Sequence, residues 1–417
     1  MAAFINGDEA EDRIGTEEAD TFRIPAGLTG AGDDRFQGRG GNDSLDGGAG
    51  SDSLFGEAGS DWLRGGEGDD LLDGGADADT LDGGDGSDLL YGGEGDDYLS
   101  GGTGRDTIWG GAGNDRIFLG TLAGRAWGED GNDVVYGSAG ADRLFGGAGG
   151  DMITAGEYNA ATRAADLIDG GTGNDTISAA GGNDTLRGGK GNDWLYLGSG
   201  GERVGFDIDL GARNWVVDAG AYGRMILDGF ENIRTVNGDD TIRGTAGKNQ
   251  IETWGGDDLI FGRGGADTIR DGPGNDTVYG GGGNDVIAHD HVGITPDRDL
   301  FFGGAGRDRF VFSDVTKSAF DDPDTIGDFA RGQDLIDLSA LRGPGSLVVT
   351  PGGTFINPGP LLALAFIGRD GFTGGGGAEL RVARDRFELD WDGDGAGDTA
   401  VALTGAGFLG RADFLLG

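Results

Sequence analysis

Cysteine is absent from this chain of 417 residues, and histidine occurs only at His289 and His291. No disulfide framework and no thiolate metal site can form, and an array of zinc sites is excluded for want of ligands. No H-E-x-x-H and no G-x-S-x-G occurs, so neither a zinc-protease helix nor a nucleophile elbow is present. Apolar runs of about 18 residues are missing too, and no transmembrane helix is expected. The first residues, MAAFINGDEAEDRIGTEEADTF, lack a basic stretch followed by an apolar one, so they are not expected to act as a Sec-type signal. Positive charge is scarce, with 31 Lys and Arg against 74 Asp and Glu, for a net charge of −43. Nucleic acids and anionic membrane surfaces would repel such a chain.

What is abundant is glycine, at 95 positions. Few large apolar side chains and a large net charge ordinarily leave a chain disordered, because too little surface is buried to offset chain entropy. The spacing argues otherwise. From about Gly30 to Leu197 an aspartate returns every nine residues, and an aliphatic residue follows two places later. The column reads Asp34, Asp43, Asp52, Asp61, Asp70, Asp79, Asp88, Asp97, Asp106 and Asp115, and it breaks at Gly124. It resumes at Asp133, Asp142 and Asp151, then after an insertion at Asp166, Asp175, Asp184 and Asp193. A second block carries Asp240, Asn249, Asp258, Asp267, Asp276 and Asp285, and Asp308 after a further excursion. Acidic solvating tails do not hold an aliphatic residue at a fixed offset from each acid.

In GGEGDDLLD, Gly65 to Asp73, the first six residues suit a tight turn, where only glycine enters positive φ cheaply. The last three suit a short strand with one side chain inward. Two such units make one coil of a flat solenoid whose two parallel sheets share an aliphatic interior. That interior is thin and cannot fold the chain unaided. Successive coils lie about 4.8 Å apart, so carboxylates of units n and n+2 face one another. A hard cation removes the conflict. Calcium takes six to eight oxygens from carboxylates and carbonyls, whereas magnesium insists on an octahedron and keeps its waters. About a dozen or more calcium ions are expected, and folding is expected to depend on them.

The unit resembles the hemolysin-type, or RTX, calcium-binding nonapeptide G-G-x-G-x-D-x-U-x; GGAGNDRIF, GGEGDDYLS and GGGGNDVIA match every fixed position. The resemblance implies an all-β chain built on a right-handed parallel β-roll. Calcium would be held by the aspartate column together with turn carbonyls at Gly48, Gly50, Gly66, Gly68, Gly84, Gly86, Gly93 and Gly95. Sites beside Gly124 and Asn249 are expected to be defective. The C-terminal region, through RFVFSDV, DTIGDFARGQDLIDLSAL, ELDWDGDGAGDTAVAL and ADFLLG, is similar to the C-terminal domain of serralysin-type secreted metalloproteases. That likeness implies an uncleaved signal for a type I (ABC-transporter) secretion channel.

These readings divide the chain into a degenerate repeat or cap at 1–29, a first roll at 30–197, a β-rich spacer at 198–236, a second roll at 237–312, and an antiparallel β domain with the secretion signal at 313–417. Met1, followed almost at once by repeat-like sequence, leads us to expect a whole small protein, not a clipped enzyme. The expected function is a non-enzymatic, secreted calcium-binding protein that is exported unfolded and folded by external calcium. Its role would be structural, surface-associated or adhesive. The competing reading is an exoenzyme, or an accessory module of one, with chemistry outside the repeats.

Three further features are weighed. His289-Asp290-His291 could join Asp297 or Asp299 around a metal, but the frame places it in a solvated loop excursion. Asp390 to Asp398 begins like an EF-hand loop, yet Val401 stands where the closing glutamate belongs. Trp215, Phe206 and Phe230 in the spacer suit core packing better than a carbohydrate-binding face.

Overall fold

The computed structural model describes residues 2–4, 12–16, 18–23, 32–156, 164–179, 181–198, 203–218, 223–289, 297–312 and 324–338. Beyond these it describes the strand segments 348–349, 355–356, 365–368, 379–382, 386–390 and 399–403, and residues 413–415. His291, the EF-hand-like segment after Asp390, and Ala412, Leu416 and Gly417 of the closing ADFLLG lie outside them. Among the described residues the chain is all-β, as expected, and divides into two units: Met1–Ser199 with Arg213–Phe230, and Gly200–Ala212 with Glu231–Gly417.

The first unit is a parallel roll of two strand stacks. In one, Trp62–Glu67, Thr80–Asp85 and Tyr98–Thr103 pair in parallel, with Leu63 opposite Leu81 and Leu81 opposite Leu99. In the other, Leu71–Ala76, Leu89–Glu94 and Thr107–Ala112 pair with Leu72 opposite Leu90 and Leu90 opposite Ile108. One coil is therefore two nonapeptides. The eighth-position residues Leu45, Leu54, Leu63, Leu72, Leu81, Leu90, Leu99, Ile108 and Ile117 are fully buried. The strands are longer than three residues: pairing runs on into the turn, as where Gly75 meets Gly93. Stacking the coils brings the glycine backbones into register as well, so their amides join the ladder. At the end of this stack Arg224–Asp228 pairs in parallel with Thr185–Lys190, and Trp215–Asp218 adds an antiparallel edge.

Glycine is needed at the second and fourth turn positions for two reasons. Gly66 and Gly68 have φ of 120° and 129°, and a Cβ on either would collide with the carbonyl of Gly48 or Gly50 one coil below. Where Glu57 and Glu129 take the second position, φ closes to 74° and 77°, into the left-handed region at some cost in strain.

The ninth position, on the outer face, carries an aromatic ladder that the nine-residue frame alone did not reveal. Tyr91, Trp109, Trp127 and Phe145 stack with ring centroids 4.7, 5.0 and 5.4 Å apart. Their ring faces are occupied by one another, so the ladder supports the sheet through cross-strand pairs.

The second unit repeats the plan. Thr241–Arg243, Leu259–Gly264, Thr277–Gly282 and Leu300–Ala305 form one parallel stack. Asn232–Arg234, Gln250–Glu252, Thr268–Arg270, Val286–His289 and Arg309–Phe312 form the other. The region beyond Phe312 is mixed. Asp324–Ile326 and Leu335–Asp337 continue the two stacks in parallel, and so do Thr399–Leu403 and Phe414–Leu415. Antiparallel pairing is found among Glu379–Val382, Arg386–Asp390 and Thr399–Leu403. In the spacer, Phe206 and Phe230 are buried, each in its own unit, which is the core-packing role.

Candidate metal centre

Every aspartate of the predicted column is buried, and the aspartates form continuous ladders. The Asp52 N–H donates to Asp70 Oδ1 at 2.7 Å, and the Asp70 N–H to Asp88 Oδ1 at 2.9 Å. On the opposite side Asp61 donates to Asp79 and Asp79 to Asp97, each at 2.7 Å. The second unit shows the same rule from Asp240 through Asp258 and Asp276 to Asp299 and Asp324. A parallel ladder runs from Asn249 through Asp267, Asp285 and Asp308 to Asp334. Four rungs are thus new: Asp20, which donates to Asp43, Asp299, Asp324 and Asp334. Insertions shift them off the nine-residue count. The triplet Asp-x-aromatic or Asp-x-aliphatic, as in Asp299-Leu300-Phe301 and Asp324-Thr325-Ile326, is the signal that would have found them.

The ladder uses only one carboxylate oxygen. Among the described residues, Oδ2 of Asp43, Asp52, Asp61, Asp70, Asp79, Asp88, Asp97, Asp106, Asp115, Asp133, Asp151, Asp175, Asp184, Asp258, Asp267, Asp276, Asp285 and Asp308 has no hydrogen-bond partner. Leaving a buried carboxylate oxygen unpaired is costly. Burial is the main cause that pushes these carboxyls up, to about 6 at Asp61, about 7 at Asp70 and about 8 at Asp79. Neighbouring carboxylates add to the shift, and the donated amide opposes it.

Most of the open Oδ2 atoms face a hollow kept clear by the first glycine of the turn; at Asp184, Asp258 and Asp276 that position is held by Ala179, Thr253 and Asp271. A Cβ on Gly280 would stand 2.6 Å from Asp285 Oδ2 and 2.7 Å from the Gly303 carbonyl oxygen. One on Gly65 would collide with Asp70 Oδ2 and stand 2.6 Å from the Gly83 carbonyl. First-position carbonyls such as that of Gly83 therefore border the hollow and were not foreseen. The foreseen carbonyls of Gly48, Gly50, Gly66, Gly68, Gly84, Gly86, Gly93 and Gly95 each stack against the glycine one coil above. Orphaned anionic oxygens beside carbonyl oxygens, in a space without nitrogen or sulfur donors, fit calcium. Gly65→Ala should fill one such hollow and weaken calcium binding there by about 1–3 kcal/mol, the usual cost of overpacking. Gly282→Ala, whose Cβ would meet only the Arg263 carbonyl at 3.8 Å, should not. Isothermal titration calorimetry of the two variants separates them.

Not every turn is open. Ser138 donates its amide to Asp142 Oδ2 at 2.6 Å and its hydroxyl at 3.0 Å. Thr16 does the same for Asp20, the Ala330 amide caps Asp334 Oδ2, and the Thr235 hydroxyl caps Asp240 Oδ2. Asn249 is closed by Thr245 and donates its own amide to the Glu231 carbonyl at 2.6 Å. At Gly124 there is no carboxylate, and a Cβ would stand 2.9 Å from the Leu119 side chain, buried at the first turn position. These turns close themselves with hydroxyls, amides or an apolar plug.

One expectation is overturned. His289 is not in a solvated loop: it ends the strand Val286–His289 and is 1% exposed. Its Nδ1 lies 3.0 Å from Asp299 Oδ2 and 3.6 Å from Asp271 Oδ2. Burial pulls the imidazolium down, but the two carboxylates hold it well above its ordinary value. The loop excursion begins one residue later than the frame implied, so this side chain turns inward. Asp297, Asp299 and Asp324 make an adjoining group of carboxylates that shares Asp299.

A stack of glycine turns with an inward aspartate and an unpaired oxygen on successive coils defines a cation-binding parallel β-roll. Comparison with known families is specific on this point. The RTX calcium-binding nonapeptide repeat (4 copies) matches residues 28–63, 55–90, 91–121, 125–157 and 161–201. Peptidase M10 serralysin C terminal matches residues 248–350. The chain is thus similar to RTX calcium-binding repeats over much of residues 28–201 and to the serralysin C-terminal region over 248–350, and neither match is to a protease domain. No curated protein matches it. No helix among the described residues is long and apolar enough to cross a membrane.

Proposed function

We propose that the chain is exported unfolded through a type I secretion channel and folds outside, where calcium fills the open turns, to serve a structural, surface or adhesive role without catalysis. The observation that carries this reading is the row of buried, partnerless Oδ2 atoms on successive coils. Inside a cell, where free calcium is low, those carboxylates oppose closure of the roll. Outside, binding energy becomes folding energy. About a dozen ions satisfy the open turns at six to eight oxygens each. The serralysin-type match supports the export route. Co-expression with a type I exporter should place the protein in the medium, and deletion of residues 404–417 should retain it in the cell. Secretion of the truncated chain at an undiminished rate would refute the route. Turnover of protein, polysaccharide or lipid substrates by the secreted material would refute the non-catalytic role.

A further inference from the structure

In the second unit the first turn position differs between the two strand stacks. After the register partners Arg243, Phe261, Tyr279 and Phe302 come Gly244, Gly262, Gly280 and Gly303, which put no side chain into the hollow. After the partners Arg234, Glu252, Arg270 and Ala288 come Thr235, Thr253, Asp271 and His289. Their side chains enter the space that glycine keeps clear elsewhere, and all four are buried. Thr235 caps the carboxylate of its turn, whereas Thr253 donates to the Asp271 carbonyl at 2.7 Å and leaves Asp258 Oδ2 without a hydrogen bond. Asp271 is unlike either. It brings a further carboxylate, 0% exposed, and neither of its oxygens has a hydrogen-bond partner.

We propose that Asp271, His289 and Asp299 form a second kind of metal centre, one that takes a divalent transition cation of the zinc class in preference to calcium. The ligand atoms lie within 4.8 Å of one another. The 3.0 and 3.6 Å separations from His289 Nδ1 bracket the value of about 3.3 Å between ligands of a tetrahedral zinc with bonds near 2.0–2.1 Å. Calcium is an oxygen-seeking cation, whereas imidazole suits zinc and its neighbours. Charge points the same way. Asp276 Oδ2 also lies in this buried region without a hydrogen bond. A single proton on His289 leaves excess negative charge, while a divalent ion with neutral imidazole balances Asp271 and Asp299. The centre ties the coil of Asp271 to those of His289 and Asp299, across the excursion that interrupts the repeat.

The test uses the full chain folded in millimolar calcium, exposed to zinc and dialysed against calcium buffer, with metal content read by mass spectrometry. We expect about one zinc per chain in the wild type and in His291→Ala, and none in His289→Ala or Asp271→Asn, with circular dichroism reporting that each variant is folded. Wild-type protein loaded with cobalt should show the strong visible absorption of a four-coordinate ion, a readout that holds even if a variant does not fold. Wild type that retains no zinc, His289→Ala that retains as much, or cobalt with only weak octahedral bands would overturn the proposal.

Discussion

Stripped of calcium by a chelator at pH 8, the full chain should give the circular dichroism spectrum of a coil, and millimolar calcium should restore a β spectrum cooperatively. The magnitude follows from how little else holds the roll together. Each nonapeptide buries one aliphatic residue inside, as Leu63 and Leu72 do, or about 1.5–3 kcal/mol of apolar burial. Ordering nine residues costs roughly 1–2 kcal/mol each in backbone entropy alone. Hydrogen bonds and the aromatic ladder narrow the gap, but each open turn adds a buried anion facing another anion. Calcium removes that term and supplies coordination bonds in its place. Magnesium at the same concentration should restore little, because it keeps its waters and demands an octahedron. A chelated chain with a full β spectrum would sink the mechanism.

The same titration distinguishes the two kinds of turn. Asp79 has an open Oδ2, and removing it in Asp79→Ala takes a ligand from the ladder between Asp61 and Asp97. Equilibrium dialysis should then show fewer bound ions per chain and a folding midpoint at higher calcium. Asp142 is closed by Ser138, so Asp142→Ala should cost stability without changing the number of ions.

Much of this was legible in the sequence because the repeat is its own evidence. A nine-residue period with one aliphatic residue and one aspartate fixes which side chains go inward, and the parallel stacking of two units per coil follows. The positions that were harder to see are those where a local contact replaces the ion. Ser138, Thr16 and Thr245 sit four residues before their partners, a short side chain capping a carboxylate or amide, and the count of aspartates alone does not distinguish a capped carboxylate from an open one. Asp299 and Asp324 were hidden by insertions that alter the count but leave the strand after each aspartate intact. His289 was misplaced for the same reason. A loop that starts after the first turn position, not at it, leaves that side chain inside, and only the position of the strand end decides which.

Lowering the pH should replace calcium in part. The open carboxyls are pushed by burial to about 6 at Asp52, Asp61, Asp97 and Asp133, to about 7 at Asp70, Asp88, Asp115 and Asp151, and to about 8 at Asp79. In the unfolded chain they return to about 3.9. Between those values the folded, calcium-free roll binds more protons than the coil, so its stability falls as the pH rises. The destabilisation is absent below about pH 4, grows through 6 to 8 as each carboxyl ionises, and is complete above 8. Calcium-free protein that is a coil at pH 8 should therefore recover β signal on titration to pH 5.5. With saturating calcium the dependence should reverse at the acid end, because protons compete for the oxygens that bind the ions. Calcium-free spectra that superimpose from pH 8 to pH 5.5 would show that the aspartate ladders are not what keeps the roll open.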